Sequence, residues 1–158
     1  MASVGSSFRS KEVDMKRLGW FVVIATMAVL PLAAERDDPA LYAVGALGVS
    51  NLYSTYFLLG TLADGYATGA YTGEFADELA RDLIGLSESA VEVLEELAAD
   101  DGLVDGDRDL LRRMVSAYRL LINQAWGLIA YVEDGTDTEV WFRYRRAAWD
   151  EISELLGL

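Results

Sequence analysis

The chain has 158 residues, 13 Lys and Arg against 26 Asp and Glu, a net charge of −13, no His and no Cys. That length holds one compact domain, or a membrane segment with one small domain. Without His or Cys, the commonest metal ligands, disulfides, thiol nucleophiles and every Ser-His or Cys-His catalytic scheme are excluded.

Charge and hydropathy pull against each other, since the mean hydropathy is +0.19 and 53 % of residues are hydrophobic. The conflict resolves along the chain. Residues 1–64 carry six acids and five bases, whereas 65–158 carry twenty acids and eight bases, so the two parts present different surfaces. The cations are eleven Arg and two Lys. An acidic, Lys-poor surface resembles proteins of salt-in halophiles, haloarchaea in particular. Salt near 1 M shortens the Debye length to roughly 3 Å, which screens the self-repulsion of such a surface.

Residues 1–17 read as a flexible basic terminus with Arg9, Lys11, Lys16 and Arg17. An uncharged run of 17 residues follows, Leu18 to Ala34. As a helix it would reach about 25 Å, the short end of what crosses a bilayer. Glu35-Arg36-Asp37-Asp38 breaks the pattern, with Asp38 as N-cap and Pro39 in the first turn of a new helix. Ala40 to Ala63 is uncharged for 24 residues, about 36 Å of helix and enough to span with some tilt. The two runs predict a transmembrane hairpin, 18–34 and 40–63. A cleaved signal peptide is set aside because the second uncharged run follows so closely. The competing reading is a soluble bundle that buries both runs. It would need neighbours on every side, and only three further helices, each with a polar face, are on offer.

Trp20, Tyr42, Tyr66 and Tyr71 fall where interfacial aromatic belts belong, and Lys16 and Arg17 flank the first run. The positive-inside rule then places the N-terminus in the cytoplasm, and two crossings return the rest of the chain there. The expected location is the cell membrane with both termini cytoplasmic. Ala46, Ser50 and Ser54 repeat at four-residue spacing, a small-residue seam for close helix packing, with Asn51 and Thr55 as interhelical hydrogen-bonding groups. The seam would meet the first span of the same chain, or a second copy in a homo-oligomer.

Residues 64–73 are punctuated by Gly and read as a linker. The remaining 74–158 predicts an acidic antiparallel three-helix cytoplasmic bundle. Its first helix, about 74–99, sets Phe75, Leu79, Leu83, Leu86, Ala90, Val93, Leu94 and Leu97 on one stripe. The second, about 107–132, repeats the period with Leu110, Leu111, Met114, Val115, Tyr118, Leu121, Ile122, Trp126 and Ile129. The third, about 137–156, carries Trp141, Tyr144, Ala148, Ile152 and Leu155, and Thr136 with Glu139 has the spacing of a capping box. No period of two competes, so the fold class is all-α.

Few features carry chemistry. Aligning Gly106 with the invariant glycine of an EF-hand loop puts Asp101, Asp105, Asp107 and Asp109 at ligand positions. Leu103 and Arg112 then occupy two other required ligand positions, which breaks the motif. The acids Glu88 to Glu96 lack the His of a di-iron bundle. Asn123 and Gln124 interrupt an apolar helix, and one of them is expected to face solvent.

The segment from Trp141 to Trp149 concentrates Arg143, Arg145 and Arg146. Arg143 and Arg146 turn away from Trp141, but Arg145 falls about 40° from it on the apolar face. There it has to pair with a carboxylate or reach a phosphate, because an unpaired buried charge costs several kcal/mol. These arginines with Trp149 are candidate contacts for a lipid head group or partner. Nucleic acid is not an expected ligand of so acidic a domain.

No catalytic residue, metal site or cofactor is predicted. The expected function is a non-enzymatic integral membrane anchor or accessory protein, which docks a protein partner through its helical domain. A homo-oligomeric channel or membrane-perturbing effector is the alternative, and a soluble halophilic helical-bundle binding module the second alternative.

Overall fold

Asp38-Pro39 is the N-cap and first-turn pair expected to open a helix; helix α1 is Pro39–Ala67, with Pro39 in its first turn, and Asp38 lies outside the described residues. The computed structural model describes residues 39–135 and 138–158. It continues with α2, Gly73–Ala98, α3, Asp105–Asp134, and α4, Glu139–Leu156. Among the described residues there is no strand, so the protein is all-α.

Helix α3 is the hub. The α2 helix packs antiparallel against it, which Arg119 bonded to Glu95 and Arg81 near Glu133 fix at the two ends. The α4 helix also runs antiparallel to α3: Arg113 bonds Glu151 and Glu154 at 2.9 Å each, and Gly127 abuts the backbone of Trp141. Between these flanks α1 lies parallel to α3. Its Gly45 meets Leu110, its Gly48 meets Met114, and its Tyr66 packs edge-on to Tyr131. The order is up, down, up, down, with α3 touching all three others. This is why α3 buries residues over a wide arc, including Met114, Ala117, Leu121, Gln124, Ala125 and Leu128 at 0–1 % exposure.

The predicted membrane hairpin requires correction at its second span. No described helix is long and apolar enough to cross a membrane. Although uncharged, 40–63 is diluted by Tyr42, Ser50, Asn51, Tyr53, Ser54, Thr55 and Tyr56. Instead α1 belongs to the same compact unit as the acidic helices, Arg36–Leu158, and adds Leu52, Leu59 and Leu62 to the core at 0–1 % exposure. Burying each such leucine is worth about 1.5–3 kcal/mol. The objection that α1 would need neighbours on every side fails because, among the described residues, helices pack against one side of it and the other side carries polar as well as apolar residues. The run 18–34, with Lys16, Arg17 and Trp20, lies outside the described residues.

The expected linker is also reassigned. Helix α1 runs on to Ala67, Gly69 takes φ of +73° in the turn, and Thr72 N-caps α2 by accepting from the Phe75 amide. Tyr66 and Tyr71, expected at a membrane interface, belong to this corner. The Tyr66 hydroxyl donates to the Val132 carbonyl at 3.4 Å, and the Tyr71 ring covers Gly65 and packs 5.2 Å from Phe75.

In α2 the buried stripe is Ala76, Ala80, Leu83, Ile84, Ser87 and Leu94. The expected Phe75, Leu86 and Val93 are exposed, because small residues at 76, 80 and 87 let α2 approach α3 along a line displaced from the large side chains. Thr136 of the expected capping box lies outside the described residues. Since α4 begins at Glu139, that glutamate holds the first helical position rather than the third.

Candidate functional site

Eight arginines lie in 39–158, and there is no Lys. Five of them, Arg81, Arg108, Arg112, Arg113 and Arg119, pair with carboxylates. The three on α4, Arg143, Arg145 and Arg146, have no carboxylate partner among the described residues. In a chain of net −13 this concentrates the unpaired positive charge of the described residues on one helix.

Arg145 is half-buried on the inner side of α4, as its helical position requires. The expected intramolecular ion pair does not form among the described residues. Instead the guanidinium carbon lies 5.5 Å from the Tyr56 ring centre and 5.7 Å from that of Trp141. A Cβ built on Gly60 of α1 would come within 2.8 Å of its Nη1, so the guanidinium rests against the α1 backbone where no side chain intervenes. Trp149, one turn on, stacks 5.4 Å from Tyr56 and closes the aromatic frame. Each cation–π contact is worth about 0.5–2 kcal/mol depending on desolvation. Together they offset part of the cost of burying the charge, but ring faces do not accept the five N–H donors as carboxylate or phosphate oxygens would.

The other two arginines diverge. By the 100° turn per residue, Arg146 follows Phe142 and Trp149 on the flank of α4 next to α1. Both Phe142 and Arg146 are exposed. Arg143 points away and stacks over the neighbouring Tyr144 at 5.1 Å.

Beside this flank, α1 presents an outer face of Ala43, Leu47, Ser50, Ser54, Phe57 and Thr61. It carries no charge until Asp64, and Leu47 and Phe57 are 72 % and 65 % exposed. Two of its three hydroxyls bond back to their own helix: Ser54 Oγ donates to the Ser50 carbonyl at 2.9 Å and Thr61 Oγ1 to the Phe57 carbonyl at 3.0 Å. Tyr42 stands at the start of the helix, 44 % exposed. The Ala46, Ser50, Ser54 seam therefore lies toward the uncovered side, with Ser50 and Ser54 exposed and Ala46 partly so, instead of packing against another described helix. Asn51 does make the interhelical bond its type suggests, accepting from the Tyr118 hydroxyl at 2.7 Å.

Asn123 is exposed, whereas Gln124 is fully buried with neither amide atom hydrogen-bonded. No sequence signal separates the two beyond the helical face. In the 100–109 loop the acids serve the turn. Asp100 accepts from the Gly102 amide at 2.7 Å, and Asp105 pairs with Arg108. Arg108 also donates to the carbonyls of Ala98, Asp100 and Leu103, capping the end of α2 in a role the sequence does not reveal. Among the described residues no group of three or more acids is placed to hold a metal ion. Comparison with protein-family models, curated proteins and solved structures finds no match to this chain.

Proposed function

We propose that the protein is a non-enzymatic docking module of a membrane surface, and that its α1 face lies on the bilayer rather than passing through it. The observation that carries this reading is the uncharged outer face of α1 on a chain of net −13, bordered on α4 by Trp149, Phe142 and an arginine without a carboxylate partner among the described residues. A helix too polar to span but uncharged along one face suits the interfacial plane, where aromatic rings and arginine stems sit at head-group depth. Hydroxyls bonded back to their own helix lower the cost of leaving water. The uncharged 18–34 run, read from sequence as a membrane segment, adds anchoring. The expectation of two cytoplasmic termini rests on two crossings, and α1 removes one of them. The acid-rich helix α2, with eight acids against Arg81 alone, offers a surface for a protein partner.

Because the chain has no cysteine, one introduced at Ser54 can be labelled uniquely in the full-length protein with an environment-sensitive fluorophore. Added vesicles containing anionic phospholipid should blue-shift the label at Ser54→Cys and leave one at Ser116→Cys, exposed on α3, unchanged. An unshifted Ser54 label overturns the proposal. So does a Ser54 label that is already buried without lipid in a dimer, which would make a second copy the occupant of this face.

A further inference from the structure

We infer that the junction of α1, α3 and α4 is a binding site for a phosphate group, with Arg145 as its principal ligand. Three observations converge there. Arg145 is half-buried and lacks an acid partner among the described residues, although twenty acids lie within 65–158 of the same chain. Its guanidinium carbon lies 5.5 Å from the Tyr56 ring centre and 5.7 Å from that of Trp141, and its nitrogens sit against Gly60, so contacts with two helices limit how its plane can turn before any ligand arrives. A preset guanidinium plane is what bidentate recognition of a phosphate requires.

The third observation is Gln124. It occupies the α4-facing stripe of α3 between Arg113, which pairs with Glu151 and Glu154, and Gly127, which abuts Trp141. The antiparallel register therefore sets Gln124 against the turn of α4 that carries Arg145. The parallel register of α1 brings Gly60 to the same level, since Gly48 meets Met114 and Tyr66 meets Tyr131. A fully buried amide with both atoms unbonded is costly unless something satisfies it. A phosphate bearing one proton offers acceptors to the guanidinium and the amide NH2, and a donor to the amide oxygen. A carboxylate at neutral pH has no such donor.

The phosphate has two sources, the monoester head group of a phospholipid such as phosphatidic acid, which can keep one proton near neutral pH as a phosphodiester cannot, or free phosphate. The first source rests on the membrane-surface reading above, while the second stands without it. Titration calorimetry of the full-length protein with inorganic phosphate, against chloride at equal ionic strength, tests the site directly. Arg145→Gln should weaken phosphate at least tenfold, and Arg145→Lys should weaken it less, because it keeps the charge but loses the planar fork. Gly60→Ala should also weaken it by displacing the guanidinium without removing charge. Arg112→Gln, at a solvent-exposed arginine, should bind as the parent does.

A second arm uses vesicles containing phosphatidic acid, whose phosphate is a monoester. If Arg145→Gln weakens both vesicles and inorganic phosphate, the head group shares the site; if it weakens phosphate alone, the ligand is free phosphate. Both results support the site. Phosphate binding unaltered by Arg145→Gln, or no saturable binding of phosphate by the parent protein, overturns it. The Ser54 label reports the α1 face independently, so failure of the phosphate site and failure of the membrane reading can be told apart.

Discussion

At the scale of single residues, polar groups decide how these helices meet. The Tyr118 hydroxyl, buried on α3, donates to Asn51 on α1, and burial raises its pKa above the ordinary 10.0. A folded pKa above the unfolded one means that the tyrosine's contribution is fully present below pH 10 and is lost as pH rises through the folded pKa. Tyr118→Phe should therefore cost about 0.5–1.5 kcal/mol at neutral pH and make stability fall less steeply in alkali. Urea unfolding at pH 8 and pH 11 checks this, and an unchanged alkaline slope in the variant would contradict it. Arg145 shows how far residue-level reading reaches. Its helical angle places it on the apolar face from sequence alone, but the Tyr56 ring and the bare backbone at Gly60 come from a helix some 85 residues earlier in the chain. Spacing along α4 has no access to them.

Among elements, the three acidic helices are legible because each alternates polar and apolar at a helical period. Helix α1 is not, because a run without charge has no stripe, and periodicity cannot say which side a neighbour will cover. Counting charges alone makes it a span; its seven hydroxyl and amide groups between Tyr42 and Tyr56 are what keep it from being one. Close approach is equally hidden. A Cβ on Gly127 would come within 2.9 Å of the Trp141 amide nitrogen and 3.0 Å of its Cα, and backbone cannot swing aside as a side chain can. Gly127→Ala should thus push α4 off α3, with a cost of about 1–3 kcal/mol typical of overpacking despite alanine's better helix propensity. Thermal unfolding of the variant measures this, and stability equal to or above the parent would show that the two helices can separate freely.

For the whole molecule, charge is the dominant variable. The exposed Arg–carboxylate pairs are each worth about 0–1 kcal/mol and weaken in salt, while twenty acids against eight bases in 65–158 repel one another throughout. Salt relieves this repulsion more than it weakens the pairs, so the unfolding midpoint should rise between about 0.1 M and 2 M KCl, by about 2–4 °C per kcal/mol relieved in a chain of this size. A midpoint that falls with KCl would mean that the ion pairs outweigh the repulsion. Salt adaptation and membrane docking meet on one surface, because the α1 face carries no charge for a bilayer to repel and the neighbouring α4 flank carries Arg146, which no described carboxylate neutralises. Docking is measured most directly by the emission of a fluorophore at Ser54→Cys as anionic vesicles are added to the full-length protein. A blue shift at position 54 with none at Ser116→Cys is the predicted result, and identical behaviour at the two positions would contradict it.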